Sequence, residues 1–405
     1  MKAEIIAIGS ELTCGARLDT NSQWLSTELE GRGWTVHRHT TIADDHDGMV
    51  QVFREAAGRS RLVLLTGGLG PTLDDITRDT LAAAFDQPLV QDDASLAHIE
   101  AMFASRGRTM PERNKVQALR PAGAAAVHNA HGTAPGILMH LTDPQCTIGV
   151  MPGVPAEMKL MFHEQIVDEL PRSSKVVRRS LVRTFGYGES DAERLLGDLT
   201  ARGRNPEVGI TASQAVISLS ITSRADSETE CEQLTADARR TIYDRLGSAV
   251  YADGNLELYD VVAQQLLQQN RRLALLEGPT TGGLISQWFT ERHDYAACLS
   301  FSRMFPTPQS IGPNVTAEGS QWREHLRAEA GAMLDREEAD FVVLSSPSYV
   351  VEDGRIKKQT GSVVVVGRDL DEDYDVSMTG NLAIFRNRAA RHALNILRLH
   401  LNELG

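Results

Sequence analysis

Between Thr66 and Asp75 the chain reads TGGLGPTLDD, preceded by the apolar run RLVLL and followed by ITRDTLAAAF. A buried strand that breaks into a glycine turn and then opens a helix is suited to cradle phosphate. Glycine lets the backbone approach a ligand closely, and a helix N-terminus favours negative charge. Asp74 and Asp75, however, put two carboxylates where the phosphate would sit. Bare carboxylates repel phosphate, and a divalent cation reverses that sign: Mg²⁺ takes one or two protein carboxylates together with substrate phosphate oxygens. The pair therefore points to a metal-bridged phosphate ester or anhydride, with the metal polarising phosphorus and activating a water.

Helix capping would account equally well for an aspartate in one isolated turn. Here four further turns repeat the combination of glycine or acid with polar side chains: GSELTCG with Ser10 and Glu11, ADDHD with Asp44 and Asp45, HGTAPG with Thr133, and MPGVPAEM with Gly153 and Glu157. Asp75, Asp74 and one of Asp44 or Asp45 are the candidate metal ligands, with Asp75 foremost. Ser10, Gly67, Gly68, Gly70, Thr72, Thr133, Gly153 and Glu157 are candidates for holding phosphate or ribose, and Glu11 or Glu157 for the general base. His128 and His131 lack ligand spacing to another His or Cys and read as ordinary surface or core histidines. Arg113 and Lys115 read equally as phosphate contacts or as a solvated helix face.

The elements that must position these turns alternate between strand and helix. EIIAIG and WTVHRHT read as strands, and NSQWLSTELEGRG as a helix with Trp24, Leu25 and Leu29 on one face. Met49, Val52, Phe53 and Ala56 mark a second helix, and Leu96, Ile99 and Phe103 a later one. CTIGVMPG is a late strand before a helix from Pro155. Such alternation implies a parallel sheet covered on both faces, with ligands bound beyond the carboxyl ends of the strands. From about Pro171 the pattern becomes that of a small α+β unit, and YADGN (251–255) reads as a linker. A second α/β alternation follows over residues 256–405.

The 405 residues suffice for two to four domains, and the formal charge of −13 (41 basic against 54 acidic residues) disfavours general affinity for nucleic acid or anionic membrane. The four cysteines are far apart, which argues against a zinc site or disulfide framework. Glu4 falls where a signal peptide would be apolar, and no apolar run approaches a membrane span. A cytoplasmic protein is expected.

At AIGSEL, DTNS, TGGLGPTLDDITRD, GTAPG and MPGVPAEM the chain resembles the CinA (competence- and damage-inducible) family. The resemblance implies an α/β MoaB/MogA-like molybdopterin-binding fold over residues 1–170, a KH-like domain over 171–255, and a CinA C-terminal, nicotinamide mononucleotide deamidase-like domain over 256–405. It further implies divalent-metal-dependent (Mg, Mn or Co) hydrolysis of ADP-ribose to AMP and ribose 5-phosphate by the first domain. Essential aspartates of the relatives correspond to Asp75 and to either Asp44 or Asp45. The third domain departs from the family. The deamidase motif ESCTGG is replaced by EGPTTGG, which puts Pro279 or Gly278 at the nucleophilic serine. The family's tyrosine and lysine become Phe301 and Pro306, and its glycine-rich loop becomes SSPSYVVE. Deamidase activity is therefore expected to be absent. The expected partners are a small-molecule nucleotide and a second copy of the chain as a homodimer, with no nucleic acid and no membrane. The KH-like segment offers Gly186 and Gly188 around Tyr187 rather than a GXXG clamp. The rival readings are a pterin- or nucleotide-binding module without turnover, and a regulatory scaffold.

Overall fold

In the first unit, alternate residues of the central strands feed two opposite cores. β1 (Lys2–Ile8) and β3 (Leu62–Thr66) are buried along almost their whole length, as strands covered on both faces must be. Ile6, Ile8, Val63 and Leu65 pack on one side with Met49 and Phe53 of α2 (His46–Arg59) and Leu81 of α3 (Thr77–Ala84). Ile5, Leu62 and Leu64 pack on the other with Leu25 and Leu29 of α1 (Thr20–Glu30). The period-2 geometry of a strand makes this division automatic.

The structure, a computed structural model, describes residues 1–170, 175–312, 315, 321–346, 350–352 and 358–404. It divides into two compact units, residues 1–178 with 224–231, and residues 179–223 with 232–405. The boundary read from the sequence at 170/171 abuts residues 171–174, which lie outside the described set.

The sheet of the first unit has the order β2-β1-β3-β6-β5-β4, where β2 is Thr35–Ile42, β4 Ala124–Val127, β5 Gly136–Thr142 and β6 Gln145–Met151. β2, β1, β3 and β6 run parallel, so their carboxyl ends open on one edge. β5 alone runs against them, pairing antiparallel with both β6 and β4, a departure from the expected all-parallel alternation. The reason is loop length: only Asp143 and Pro144 join β5 to β6, too few residues for a crossover. Strand order reverses direction at β1, and ligands of such sheets bind at that switch point. The helix expected around Leu96, Ile99 and Phe103 forms as α4 (Asp93–Ser105), and the one expected from Pro155 as α5 (Pro155–Met161).

Four strands pair in the order Glu207–Ser213, Val216–Ala225, Val176–Phe185, Val250–Asp253, all within the second unit except residues 176–178 and 224–225. The second unit also contains a larger sheet in which Leu273–Glu277, Leu299–Met304 and Phe341–Ser345 run parallel. Lys358–Gly367 and Leu370–Thr379 extend that sheet antiparallel. The segment read as a domain over 171–255 has its own core of Val182, Leu196, Leu219, Ile221 and Ile242, while its Phe185, Val216 and Tyr251 pack with Leu258, Val262, Phe385 and Leu394 of the following segment. The strand Leu370–Thr379 escaped sequence reading because it carries Asp371, Glu372, Asp373 and Asp375. Arg327 bridges to Asp371 (2.7 Å) and Asp373 (2.6 Å), and Arg323 to Asp375 (2.7 Å), which makes that charged edge tolerable. Among the described residues no helix is long and apolar enough to cross a membrane.

Glu4 is fully buried in β1, where Arg59 donates two hydrogen bonds of 2.8 Å to its carboxylate and Thr40 one of 3.0 Å. Burial opposes its ionisation, but these hydrogen bonds and the Arg59 charge outweigh burial and hold the carboxyl below its ordinary range. A depressed folded-state pKa contributes stability that is complete above the unfolded value and is lost as pH falls through the folded one. Arg59→Ala, which strands the buried charge, is expected to cost about 3 kcal/mol in urea denaturation at pH 7. The gap from wild type should narrow as pH falls, first as the stranded Glu4 of the variant is protonated and then, below the ordinary glutamate value of about 4.3, as the wild-type pair loses its contribution.

Candidate functional site

The carboxyl ends of the parallel strands open into a cavity of about 500 Å³. β1 delivers Gly9 and Glu11 to it, the loop after β2 delivers Asp44, and the turn after β3 delivers Gly67, Gly68, Gly70, Asp74 and Asp75. Thr133 comes from the loop before β5, and Gly153 and Glu157 from the turn into α5. The fold thus gathers four of the five turns directly and the fifth, ADDHD, through Asp44 alone.

The turn after β3 is built by close approach. Gly67 has φ +108°, and a Cβ there would strike the Ile8 carbonyl of the neighbouring strand; at Gly68, with φ +65°, a Cβ would strike the Thr77 hydroxyl. Substitution at either position would push two strands or a strand and a helix apart. Thr77 Oγ1 donates to the Gly67 carbonyl at 3.0 Å. Arg78 lies buried beneath the turn and donates to the Leu69 and Gly70 carbonyls, and burial pulls its guanidinium down to about 10. The sequence reading did not single out Arg78, although it stands in the quoted ITRD, because a charged residue in a first helical turn gives no sign of burial.

Asp75 closes the turn from the front. Its carboxylate accepts from the Gly70 amide (2.7 Å), the Thr72 amide (2.8 Å) and the Thr72 hydroxyl. Three of the roughly four acceptor positions of that carboxylate are therefore occupied within its own turn. The Gly67 amide donates to Met151 O at 3.0 Å. The amides of Gly67 and Gly70, expected to face phosphate, are thus taken by the protein. Asp74 is exposed at the mouth, and hydrogen bonds from the Thr72 side chain and its own amide hold its carboxyl below the usual carboxylate range.

The alternative between Asp44 and Asp45 resolves by position. Asp44 lines the cavity, and its Oδ2 accepts from the Ser10 amide (3.0 Å) and hydroxyl (2.9 Å). Asp45 stands outside the cavity as the N-cap of α2, its Oδ2 accepting from the Gly48 amide at 3.0 Å. Asp45, a catalytic candidate from the sequence, thus takes the position of a helix cap. Ser10 and Thr72 likewise act through their bonds to Asp44 and Asp75 rather than on the cavity wall. Glu157 Oε2 accepts from Asn129 Nδ2 at 2.7 Å; Asn129, buried, also accepts from the His131 and Gly132 amides and so shapes the HGTAPG loop.

Sequence reading missed the segment Arg17–Asn21, which lines the same cavity. Its signal was the DTNS tract. Asp19 caps α1 by accepting from the Ser22 amide at 2.9 Å, and Asn21 Nδ2 donates to the Gly153 carbonyl at 2.9 Å. With Asp19 included, the wall carries six carboxylates (Glu11, Asp19, Asp44, Asp74, Asp75 and Glu157) against one basic side chain, Arg17. Among the described residues no three His, Cys, Asp or Glu side chains converge into a ready-made metal cluster.

Residues 4–172 match the family model of a probable molybdopterin binding domain, and residues 179–252 that of the damage-inducible protein CinA KH domain. A putative competence-damage inducible protein of Oceanobacillus iheyensis is 33% identical over 289 residues, 71% of this chain and 69% of that protein. Another from Geobacillus sp. is 38% identical over 288 residues, 70% of this chain and 68% of that protein. The chain belongs to the CinA family. Among solved structures, the CinA protein of unknown function from Thermoplasma acidophilum is 32% identical, over 42% of this chain and 98% of that one, with a TM-score of 0.39. The molybdopterin biosynthesis enzyme MoaB of Thermus thermophilus is 19% identical, over 42% and 91%, with a TM-score of 0.29. By these family models the N-terminal domain of this CinA-family chain is of the probable molybdopterin binding type, a CinA KH-like domain follows, and a further α/β segment follows that.

The two aspartates of the ADDHD turn should separate on measurement. Asp45→Ala removes a helix cap and is expected to lower stability by about 1 kcal/mol in urea denaturation.

Proposed function

We propose that the first domain is a divalent-metal-dependent pyrophosphatase that cleaves the phosphoanhydride of ADP-ribose or a related nucleotide diphosphate. The observation that carries this reading is the charge of the cavity, six carboxylates against one guanidinium beside glycine turns that admit a ligand closely. An anionic diphosphate is repelled from such a wall unless a cation accompanies it. The donor set fits Mg²⁺, Mn²⁺ or Co²⁺: such ions need one or two carboxylates and take the rest of their shell from water and phosphate oxygens, so no three-residue cluster is required. Asp44 and Asp74 are the residues to hold it. Asp75, foremost in the sequence reading, is better supported as the brace of the turn, with one acceptor position left.

A divalent ion held there would supply charge neutralisation on the anhydride and a more acidic water. The chain's own residues do the rest. Ser10 fixes the Asp44 carboxylate through two hydrogen bonds. Gly67 and Gly68 bring the turn against β1 and α3, and Thr133 lines the wall within reach of a ribose or phosphate oxygen. Glu157, oriented by the buried Asn129, is the carboxylate best placed to take the proton of the attacking water, whereas Glu11 is exposed. Hydrolysis of ADP-ribose to AMP and ribose 5-phosphate, followed by chromatography, should require added metal and stop in EDTA. Asp44→Asn should lower kcat/KM about a hundredfold. Undiminished turnover in EDTA, or in both Asp44→Asn and Asp74→Asn, would overturn the reading. A pterin-binding module draws on the description of the family model that matches residues 4–172. Saturable pterin binding with no metal-dependent turnover of any dinucleotide would favour it.

We also infer that the third segment does not deamidate nicotinamide mononucleotide. Thr280 and Thr281, the nearest hydroxyls to the lost serine, are fully buried. Thr280 Oγ1 pairs with Ser346 Oγ at 2.5 Å and Thr281 Oγ1 with Ser345 Oγ at 2.8 Å. Nucleophilic catalysis needs an accessible hydroxyl with a base beside it, and these two hydroxyls are enclosed with other hydroxyls. Part of the replaced glycine-rich loop, residues 347–349, lies outside the described set. Ammonia release from nicotinamide mononucleotide should stay at background; enzymatic release abolished by Thr280→Ala or Thr281→Ala would show that threonine has taken over.

A further inference from the structure

We propose that the Leu18–Val154 side of the acidic cavity is the subsite for the base of the nucleotide, holding a flat heterocycle between two aliphatic side chains. The inference rests on the pyrophosphatase reading and extends it from the anhydride to the recognition of the nucleoside.

Leu18 is 86% exposed and Val154 51% exposed, and both line the cavity. A single exposed leucine needs no explanation, but two large aliphatic side chains left in water on the wall of one acidic cavity ask for an apolar ligand surface. The segments that carry them are fastened together: Asn21 Nδ2 donates to the Gly153 carbonyl at 2.9 Å, one residue from Val154 and three from Leu18. Pro152 and Pro155, on either side of Val154, line the same wall and limit its backbone. The two backbone segments that carry the pair are thus tied to each other.

A second observation points to the same place. Asn21 is 9% exposed, and its Oδ1 is buried with no hydrogen-bond partner among the described residues. An unsatisfied buried acceptor costs about 1–3 kcal/mol, and a donor on a ligand edge would relieve it after a small turn of the side chain. A nucleobase supplies both required features, apolar faces for Leu18 and Val154 and an N–H edge for Asn21. The sugar and diphosphate then extend toward the glycine turns, because Gly153 also abuts the other end: a Cβ on it would lie 3.6 Å from the Gly67 Cα. One cavity therefore offers an aliphatic grip and, adjoining it, an acidic floor, in the order in which base and phosphates follow one another in a nucleotide.

The test is equilibrium binding to the full chain by calorimetry in Mn²⁺, with AMP, ADP-ribose, ribose 5-phosphate and neopterin as probes. Leu18→Ala and Val154→Ala alter exposed side chains, so both should fold as wild type. Each should weaken AMP and ADP-ribose about tenfold, and the double variant about a hundredfold, from the apolar area lost. Ribose 5-phosphate, which has no base, should bind all forms alike. Unchanged AMP affinity in the double variant, or equal loss for ribose 5-phosphate, overturns the base subsite while leaving the pyrophosphatase reading standing. Neopterin that displaces AMP and shows the same dependence on Leu18 and Val154 overturns the assignment to a nucleotide. Base-dependent AMP binding without any ADP-ribose hydrolysis supports the subsite and sinks the catalytic reading. Failure of wild type to bind any of the nucleotides removes both.

Discussion

The first domain depends on the approach of Gly67 to the Ile8 carbonyl. Two adjacent parallel strands end side by side there, and the chain leaves one of them with a backbone conformation that a side chain would block. Everything around the turn serves to hold that approach. Thr77 and the buried Arg78 bind its carbonyls from behind, and Asp75 binds its amides from the front. Placing a guanidinium under the turn is costly in desolvation, as its lowered pKa records. The gain is that carbonyls which would otherwise face the core are satisfied.

This arrangement divides the acidic residues into two kinds. Asp19, Asp45 and Asp75 accept backbone amides and fix helices and turns. Asp44 is held by the Ser10 amide and hydroxyl and Glu157 by the Asn129 side chain, both on the cavity wall, and Asp74 is exposed at its mouth. Capping carboxylates and cavity carboxylates have identical sequence chemistry, so neighbouring aspartates such as 44 and 45, or 74 and 75, serve different ends one residue apart.

The second unit shows the opposite use of a similar turn. After Leu273–Glu277 the chain again reaches paired glycines, but Glu277 is buried and accepts the Ile285 and Ser286 amides, so the carboxylate occupies the helix N-terminus that an anion would use. Thr280, Thr281, Ser345 and Ser346 then fill the space with paired hydroxyls. Arg386 donates to the Pro279 carbonyl at 3.1 Å and covers Gly282. The turn is knit into the protein interior on every side that these contacts describe.

Much of this was legible in the sequence for a simple reason: periodicity and turn chemistry are local. Buried strands such as EIIAI, the helix stripes at Leu25 and Leu29 or Met49 and Phe53, and the five polar turns all announce themselves within a few residues. That the turns meet at one edge follows from the parallel alternation alone. The tertiary structure alone decided what each side chain does once there, because hydrogen-bond direction and burial depend on partners far away in the chain. Asp44 faces the cavity through Ser10, 34 residues distant, and Asn21 reaches Gly153 across 132 residues. Arg78 is buried although its helical turn looks solvated, and Leu18 is exposed although leucine belongs to a core. The antiparallel strand β5 and the acidic strand Leu370–Thr379 form because a short connection and arginines on a neighbouring helix make them stable, and neither cause is visible in the composition of the strands themselves.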